Sequence, residues 1–428
     1  MLSLLYAGSV GALTNHNLGD LRTSSDSDWN RLLALTSNGK RAFAVDVRLA
    51  TMSGYFWSLV FLLLANVLLV VAGILSHAAR KSRTFWPFQW VVALLLLGAG
   101  PFVLDPFLEA AGVYERFNSD IVMQCRFIAG SMAFLGMFRV IEGLAGESPA
   151  EVLKDLPSWL NYLTSVDARR GPDGRPMKAK PGAIPAALGN LLGRFVLLSA
   201  TYSVLATGRH TRFHYTYTPF MDAERMMEWD EATIHGKYMD WELLAHLADS
   251  WVACIVIYLY LALVIDIGGF LVLLQGIEPI AGFNNPIFGS STPTDMWGRR
   301  WNMQMHGILK RACFLPLVKR GAPKQLAGFA TFVASAIYHE LQFGFAFPGY
   351  TYGQGSLFFL LQGVLCVLEA LVYKAVPDAG KSVPRPIKCA LTTLLMTATS
   401  ELFVGIWRHS GMFDAMGSLL ITVSCTFK

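Results

Sequence analysis

Residues 54–75 read GYFWSLVFLLLANVLLVVAGIL, without a charged side chain. At about 1.5 Å per residue a helix of this length matches the roughly 30 Å hydrocarbon core of a bilayer. A helix apolar on every side must be buried on every side, in a large core or in lipid. Composition decides between the two. Of 428 residues, 54% are hydrophobic and only 15% charged, against about 25% charged in soluble domains; the mean hydropathy is +0.43. The chain lacks the polar material to coat a soluble body of this size. Further apolar runs at 88–107, 121–141, 184–206, 251–275, 326–346, 355–375, 388–406 and 412–427 have the length or near-length of spans. The expectation is an all-α polytopic membrane protein of eight or nine transmembrane helices, in one domain covering 1–428.

Charge follows the spans. Arg80, Lys81 and Arg83 come after the first; 105–120 is acidic, with Asp105, Glu109, Glu115 and Asp120 against Arg116. Residues 143–182 are basic again, 207–247 carry seven acids against four bases, and 276–324 seven bases against two acids. By the positive-inside rule the basic loops are cytoplasmic, which puts the N-terminus on the opposite side. The opening MLSLLYAGSVGALTNHN has no basic segment before its apolar run, so a cleaved signal peptide is not expected. Six scattered cysteines, none in a CxxC pair, form neither a disulfide framework nor a zinc motif. The stretch DARRGPDGRPMKAKPG (167–182) is rich in Pro, Gly and charge, and reads as a mobile cytoplasmic loop. No internal repeat is evident.

Two segments break the apolar monotony. In LAGFATFVASAIYHELQFGFAFPGY (326–350) His339 and Glu340 stand inside a span. If the helix starts near Leu326, His339 lies about 20 Å along it. Ionisable groups at that depth face a cavity or a bundle interior and are functional by default, and a neutral imidazole is what a general base requires. Glu340, about 100° further round, is expected to support the site by pairing with an arginine or a backbone donor of another helix. Ahead of that span, AGFNNPIFGSSTPTDMWGRRWNMQMHGILKRACFLPLVKRG (281–321) starts as a loop and becomes, from Asp295, a candidate amphipathic helix. Thr294 or Asp295 suits its N-cap, and Trp297, Trp301, Met305 and Ile308 share a face. Aromatic residues on one side and arginines on another describe a helix at the membrane interface. Arg299, Arg300, Lys310, Arg311, Lys319, Arg320 and Lys324 supply cations on the cytoplasmic side, where a phosphorylated donor such as a coenzyme A thioester is available.

NNPIFGSSTPTDMWGRRWN (284–302) followed by ASAIYHELQF (334–343) resembles the wax synthase-like branch of the membrane-bound O-acyltransferase superfamily. There an Asn-x-Pro stretch precedes an acidic-aromatic-Trp-Gly-Arg-Arg-Trp-Asn motif, and an intramembrane His-Glu follows. The match is close over 280–345 and looser over 240–375, which is taken as the catalytic region; Met296 departs from the usual aromatic. The resemblance implies helices of that family's type, with interfacial or re-entrant helices around a buried reaction tunnel, and membership of the endoplasmic reticulum membrane. It implies transfer of an acyl group from acyl-CoA to a lipid alcohol, foremost a long-chain fatty alcohol to give a wax ester. Diacylglycerol, a sterol or a small terpenoid alcohol are alternative acceptors. By the same resemblance His339 is the catalytic base and Asn302 its partner, while Arg299, Arg300, Trp297, Trp301 and Asp295 form the acyl-CoA site. Acyl-CoA is a co-substrate; no bound cofactor, metal or nucleic-acid partner is expected.

Two rivals are weaker. His210 and His214 in RHTRFHY (209–215) are spaced like one histidine box of a membrane di-iron oxidase, but those enzymes need several boxes and a His-His pair, absent from this sequence. A proton-coupled transporter using His339 and Glu340 would be supported by inverted repeats with broken helices, and the sequence shows neither.

Overall fold

The uncharged stretch lies inside α1 (Met52–Lys81), whose last turn carries Arg80 and Lys81, cations at the negative end of the helix dipole. The computed structural model describes residues 33–37, 41–49, 52–82, 86–110, 112, 114, 119–208, 241–376, 378 and 382–427. Along α1, Leu59, Leu63, Val67, Val71 and Ile74 are exposed while Phe61, Ala65, Leu69 and Ala72 are buried. Such an exposed apolar stripe would be an aggregation hazard in water. It is the ordinary surface of a helix in lipid.

Next come α2 (Trp86–Gly98) and α3 (Gly100–Ala110), bent by 49° relative to each other. The break falls at Gly98-Ala99-Gly100-Pro101, where glycines weaken the helix and proline removes a donor. They are followed by α4 (Ser119–Leu144), the short α5 (Leu156–Thr164), α6 (Ala183–Gly208) and α7 (Trp241–Leu274). Four short pieces then precede the last long helices: α8 (Pro286–Gly289), α9 (Pro293–Arg299), α10 (Met303–Leu309) and, after a π turn at Lys310–Phe314, α11 (Leu315–Lys319). The chain continues through α12 (Lys324–Ala346), α13 (Gln354–Ala375), α14 (Arg385–His409) and α15 (Met412–Gly417).

Among the described residues six helices are long and apolar enough to span, or seven if the bent α2–α3 pair is one span. This is a multi-pass membrane protein. The 23-residue α12 is outside that set because Ser335, His339, Glu340 and Gln342 dilute its apolarity; with it, eight of the nine expected stretches are helical. The ninth, 412–427, is not a span. Gly411, at φ +77°, separates α14 from α15, and the chain ends in strand β3 (Thr422–Phe427). Together with β1 (Leu33–Ser37) and β2 (Arg41–Arg48) it forms a three-stranded sheet in the order β1-β2-β3. The chain divides into two compact units, Met1–Arg48 with Val423–Lys428 and Leu49–Thr422, where sequence suggested one. The all-α expectation describes the second.

The expected mobile loop is also corrected. Residues 167–182 run in short antiparallel bridges against 277–279, with Ala168 opposite Pro279 and Lys178 opposite Ile277. Arg169 N donates to Glu278 O at 2.7 Å and Glu278 N to Met177 O at 2.9 Å. Pro, Gly and charge in this loop mark its turns; the backbone between them is paired with a neighbour that local sequence does not reveal.

Packing of α1, α2, α4 and α5 centres on Trp159, which is fully buried and donates from Nε1 to Ser76 Oγ at 2.9 Å. A Cβ at Gly143 would stand 2.9 Å from the Trp159 ring and 3.3 Å from that of Trp90. Gly143→Val is therefore expected to destabilise the protein by about 1–3 kcal/mol, the usual effect of overpacking, read as a lower thermal midpoint in detergent.

Candidate active site

Residues 284–303 hold an irregular chain inside the helical unit by bonding its backbone to its own side chains. Among the described non-glycine residues only Asn285 (φ 47°) and Asn302 (φ 39°) have left-handed backbones, a conformation asparagine tolerates better than most. Thr292 caps α9, accepting from Asp295 N at 3.0 Å, and Asp295 reaches back to Ser291 N at 3.0 Å. This reciprocal capping, with Pro293 at the first turn, is written in STPTD; the cap is Thr292, two residues before the earliest expected. Arg300 then closes the loop, binding Asp295 Oδ2 through Nε at 2.9 Å and Asn284 O through Nη1 at 3.1 Å. Burial opposes a charge on Asp295, but the Ser291 amide and the two arginines outweigh it and hold its carboxyl below the ordinary value. A depressed carboxyl stabilises the fold above its unfolded-state value, and that contribution fades as pH falls through the folded value.

The expected interfacial helix is broken at Asn302. α9 stops at Arg299, and Asn302, with its left-handed backbone, caps α10, the Oδ1 accepting from Met305 N at 3.1 Å. A backbone N–H can only donate, so the acceptor is the amide oxygen and the group left over is the Nδ2 donor. Nδ2 makes no hydrogen bond among the described residues.

His339 sits on α12 with a similar division of labour. Nδ1 is 2.8 Å from Ser335 O. A carbonyl can only accept, so Nδ1 carries the hydrogen and Nε2 keeps its lone pair. The ring stacks on Phe359 of α13 at 3.9 Å and meets Phe403 of α14 edge-on at 5.8 Å.

His339, Asn302, Trp297 and Trp301 line one cavity of about 600 Å³ between α7, α9, α10, α12, α13 and α14. The volume is that of a small-molecule site. Trp297 stands in its wall among Trp301, Phe332, Phe358 and Phe359, each near 6 Å, and donates to Gln362 Oε1 at 3.3 Å. The other sequence candidates are elsewhere. Asp295 and Arg300 are spent on the loop clamp, and Arg299, its side chain 74% exposed, pairs with Asp295 at 3.1 Å. Glu340 does not line the cavity. It accepts from Gly353 N at 2.9 Å and Ser356 N at 2.7 Å, placing a negative charge at the positive end of α13.

Sequence reasoning missed a second histidine. His306, one turn beyond Asn302, lines the cavity with Lys310 and Lys324; burial, then Lys310 and Arg311, push its basicity down. Its spacing of four from Asn302 was the available signal. Among the described residues no cluster of His, Cys, Asp and Glu could hold a metal ion; His210 and His214 lie outside the described residues.

The sequence profile of the membrane-bound O-acyltransferase (MBOAT) family matches residues 190–404, half of the chain. A probable long-chain-alcohol O-fatty-acyltransferase 3 of Arabidopsis thaliana is 35% identical over 143 residues, 32% of this chain and 42% of that one. An acyl-CoA–sterol O-acyltransferase 1 of the same plant is 32% identical over 129 residues, 28% of this chain and 37% of that one. The long-chain-alcohol O-fatty-acyltransferase of Simmondsia chinensis is 31% identical over 133 residues, 29% of this chain and 37% of that one. The matched stretches thus span less than half the length of these relatives.

Capping by Glu340 has a measurable consequence. Glu340→Gln keeps the shape but faces one backbone donor with an amide NH₂, and is expected to cost about 1–3 kcal/mol of stability. Thermal unfolding should register that cost, while turnover per folded molecule changes by less than about threefold.

Proposed function

The chain belongs to the membrane-bound O-acyltransferase family, and on that premise we propose that it transfers an acyl group from acyl-CoA to the hydroxyl of a lipid alcohol, with His339 as general base. The observation that carries this reading is the fixed tautomer: Ser335 O holds the Nδ1 hydrogen and leaves Nε2 as a base in a cavity walled by aromatic rings. In the proposed reaction Nε2 takes the proton from the acceptor hydroxyl as its oxygen attacks the thioester carbonyl carbon. The tetrahedral oxyanion receives a hydrogen bond from Asn302 Nδ2. Collapse breaks the carbon–sulfur bond, and the departing thiolate recovers the proton from the imidazolium. Apolar walls keep water from competing with the alcohol.

For the acyl-CoA phosphates we propose Lys310 and Lys324, which line the cavity, with Arg299 exposed beside Gly298 of the same wall. Arg300 and Asp295 hold the loop in shape. Trp297 and Trp301 form the wall against the acyl chain. The first acceptor to test is a long-chain alcohol, as the names of the relatives suggest, with sterol, diacylglycerol and small terpenoid alcohols beside it. The endoplasmic reticulum membrane, where acyl-CoA is supplied, is the proposed location.

Microsomes containing the wild-type protein, given labelled palmitoyl-CoA and a mixture of long-chain alcohol, diacylglycerol and sterol, are expected to form one new ester. His339→Ala should lower the rate by about 10²–10⁴ and Asn302→Ala by about 10²–10³. His306→Ala should retain most of the activity; a loss as large as that of His339→Ala would move the base to His306. Replacing Lys310 and Lys324 with alanine is expected to raise KM for the acyl-CoA several-fold, increasingly so at higher salt, with kcat nearly unchanged. Absence of any ester with palmitoyl-CoA and with acetyl-CoA would overturn the proposal.

A further inference from the structure

Asp167 is 4% exposed and does not line the cavity, yet each of its polar groups is bonded to the segment that carries Asn302 or to that segment's support. Its backbone N donates to Gln304 Oε1 at 2.7 Å. Its backbone O accepts from Ile280 N at 2.9 Å. Oδ1 accepts from Arg139 Nη2 at 3.1 Å and Oδ2 from Arg311 Nη2 at 2.6 Å.

Gln304 lies in the first turn of α10, two residues after Asn302, and its Nε2 donates to Ile280 O at 3.1 Å. Arg311 lies in the π turn just past the other end of α10 and also pairs with the fully buried Glu142 at 2.9 Å. The Tyr162 hydroxyl donates to Glu142 at 2.7 Å, and the Arg139 guanidinium sits 4.6 Å from the Tyr162 ring. Two arginines thus face two acids in a neutral, buried cluster. The helical run continues from α10 through the π turn into α11, and a π turn is an irregular point in a helix. Here one aspartate fastens α10 at both its start and its junction with that turn.

That helix brings Asn302, Met305, His306 and Leu309 to the cavity, with Lys310 following. A misplacement of about 1 Å in a reacting group can cost 10² in rate. We infer that Asp167 is a positioning residue for acyl transfer: by clamping both ends of α10 it fixes the Asn302 amide relative to His339. The inference rests on the acyl-transfer reading above. It also gives the 167–182 segment a role, since Asp167 opens that segment.

The test is a double-mutant cycle on purified protein, with rates taken per folded molecule. Asp167→Asn keeps the shape and both backbone bonds while removing the charge between Arg139 and Arg311. It is expected to lower kcat about tenfold or more and to change KM for acyl-CoA less than about threefold. In an Asn302→Ala background the same substitution should cost less than about twofold, because the group it positions is gone. Arg311→Lys, which retains charge but loses the fork, should repeat the pattern if Asp167→Asn folds poorly. Equal Asp167→Asn penalties with and without Asn302 would overturn the inference, as would loss of folded protein in both variants. An active wild type with additive penalties overturns this inference alone; a wild type forming no ester overturns the acyl-transfer reading with it.

Discussion

A backbone group buried away from water must find a partner, and this constraint governs the irregular chain between α7 and α12. Helices satisfy it by themselves. The connecting chain must borrow partners, and it does so from a few side chains at fixed positions. Thr292 and Asp295 cap α9, Asn302 caps α10, Arg300 ties the loop to Asn284, and Thr294 N reaches Glu369 Oε2 on α13 at 2.8 Å. Once those demands are met, the loop has one shape, and that shape puts Asn302 and two tryptophans on the wall of a cavity.

The same constraint sorts the polar residues into two groups. Charges in low-dielectric surroundings are costly unless paired, and those in and around the site are paired: Asp295 with Arg300, Asp167 and Glu142 with Arg139 and Arg311, Glu340 with the end of α13. On the cavity wall, two neutral side chains keep hydrogen-bonding capacity to spare, through Nε2 of His339 and Nδ2 of Asn302. The reaction proposed above uses neutral groups, which can face a cavity without the cost of an unpaired charge. The lysines escape this rule because they stand exposed at the cavity's edge.

Much of the site was legible in short-range pattern. His339 stood out because an ionisable residue interrupts an apolar run, and Asn302 because it falls in a motif with a known resemblance. STPTD held the capping signal, although the cap is Thr292 rather than Thr294 or Asp295. The continuous helix over 295–308 was a reasonable reading of Trp297, Trp301, Met305 and Ile308, and it fails because a left-handed asparagine turns the chain between the second tryptophan and the methionine. Arg299 and Arg300 looked alike in sequence. The structure separates them, since Arg300 bonds a backbone carbonyl 16 residues away and Arg299 is exposed.

Sequence alone determined the solvent. Composition and the length of apolar runs fix a multi-pass helical protein in a membrane, because hydrophobic transfer depends on residue type and segment length and on little else. It also determined that α12 buries a histidine. Which polar side chain faces the cavity and which is tied into the fold was decided by tertiary structure, because that depends on partners distant in the chain. Asp167 and Arg311 are 144 residues apart and Glu142 and Arg311 further still; nothing local to either marks the pair. The loop 167–182 looked mobile for the same reason. Its hydrogen-bonding partners lie beyond two long helices, and sequence proximity carries no trace of them.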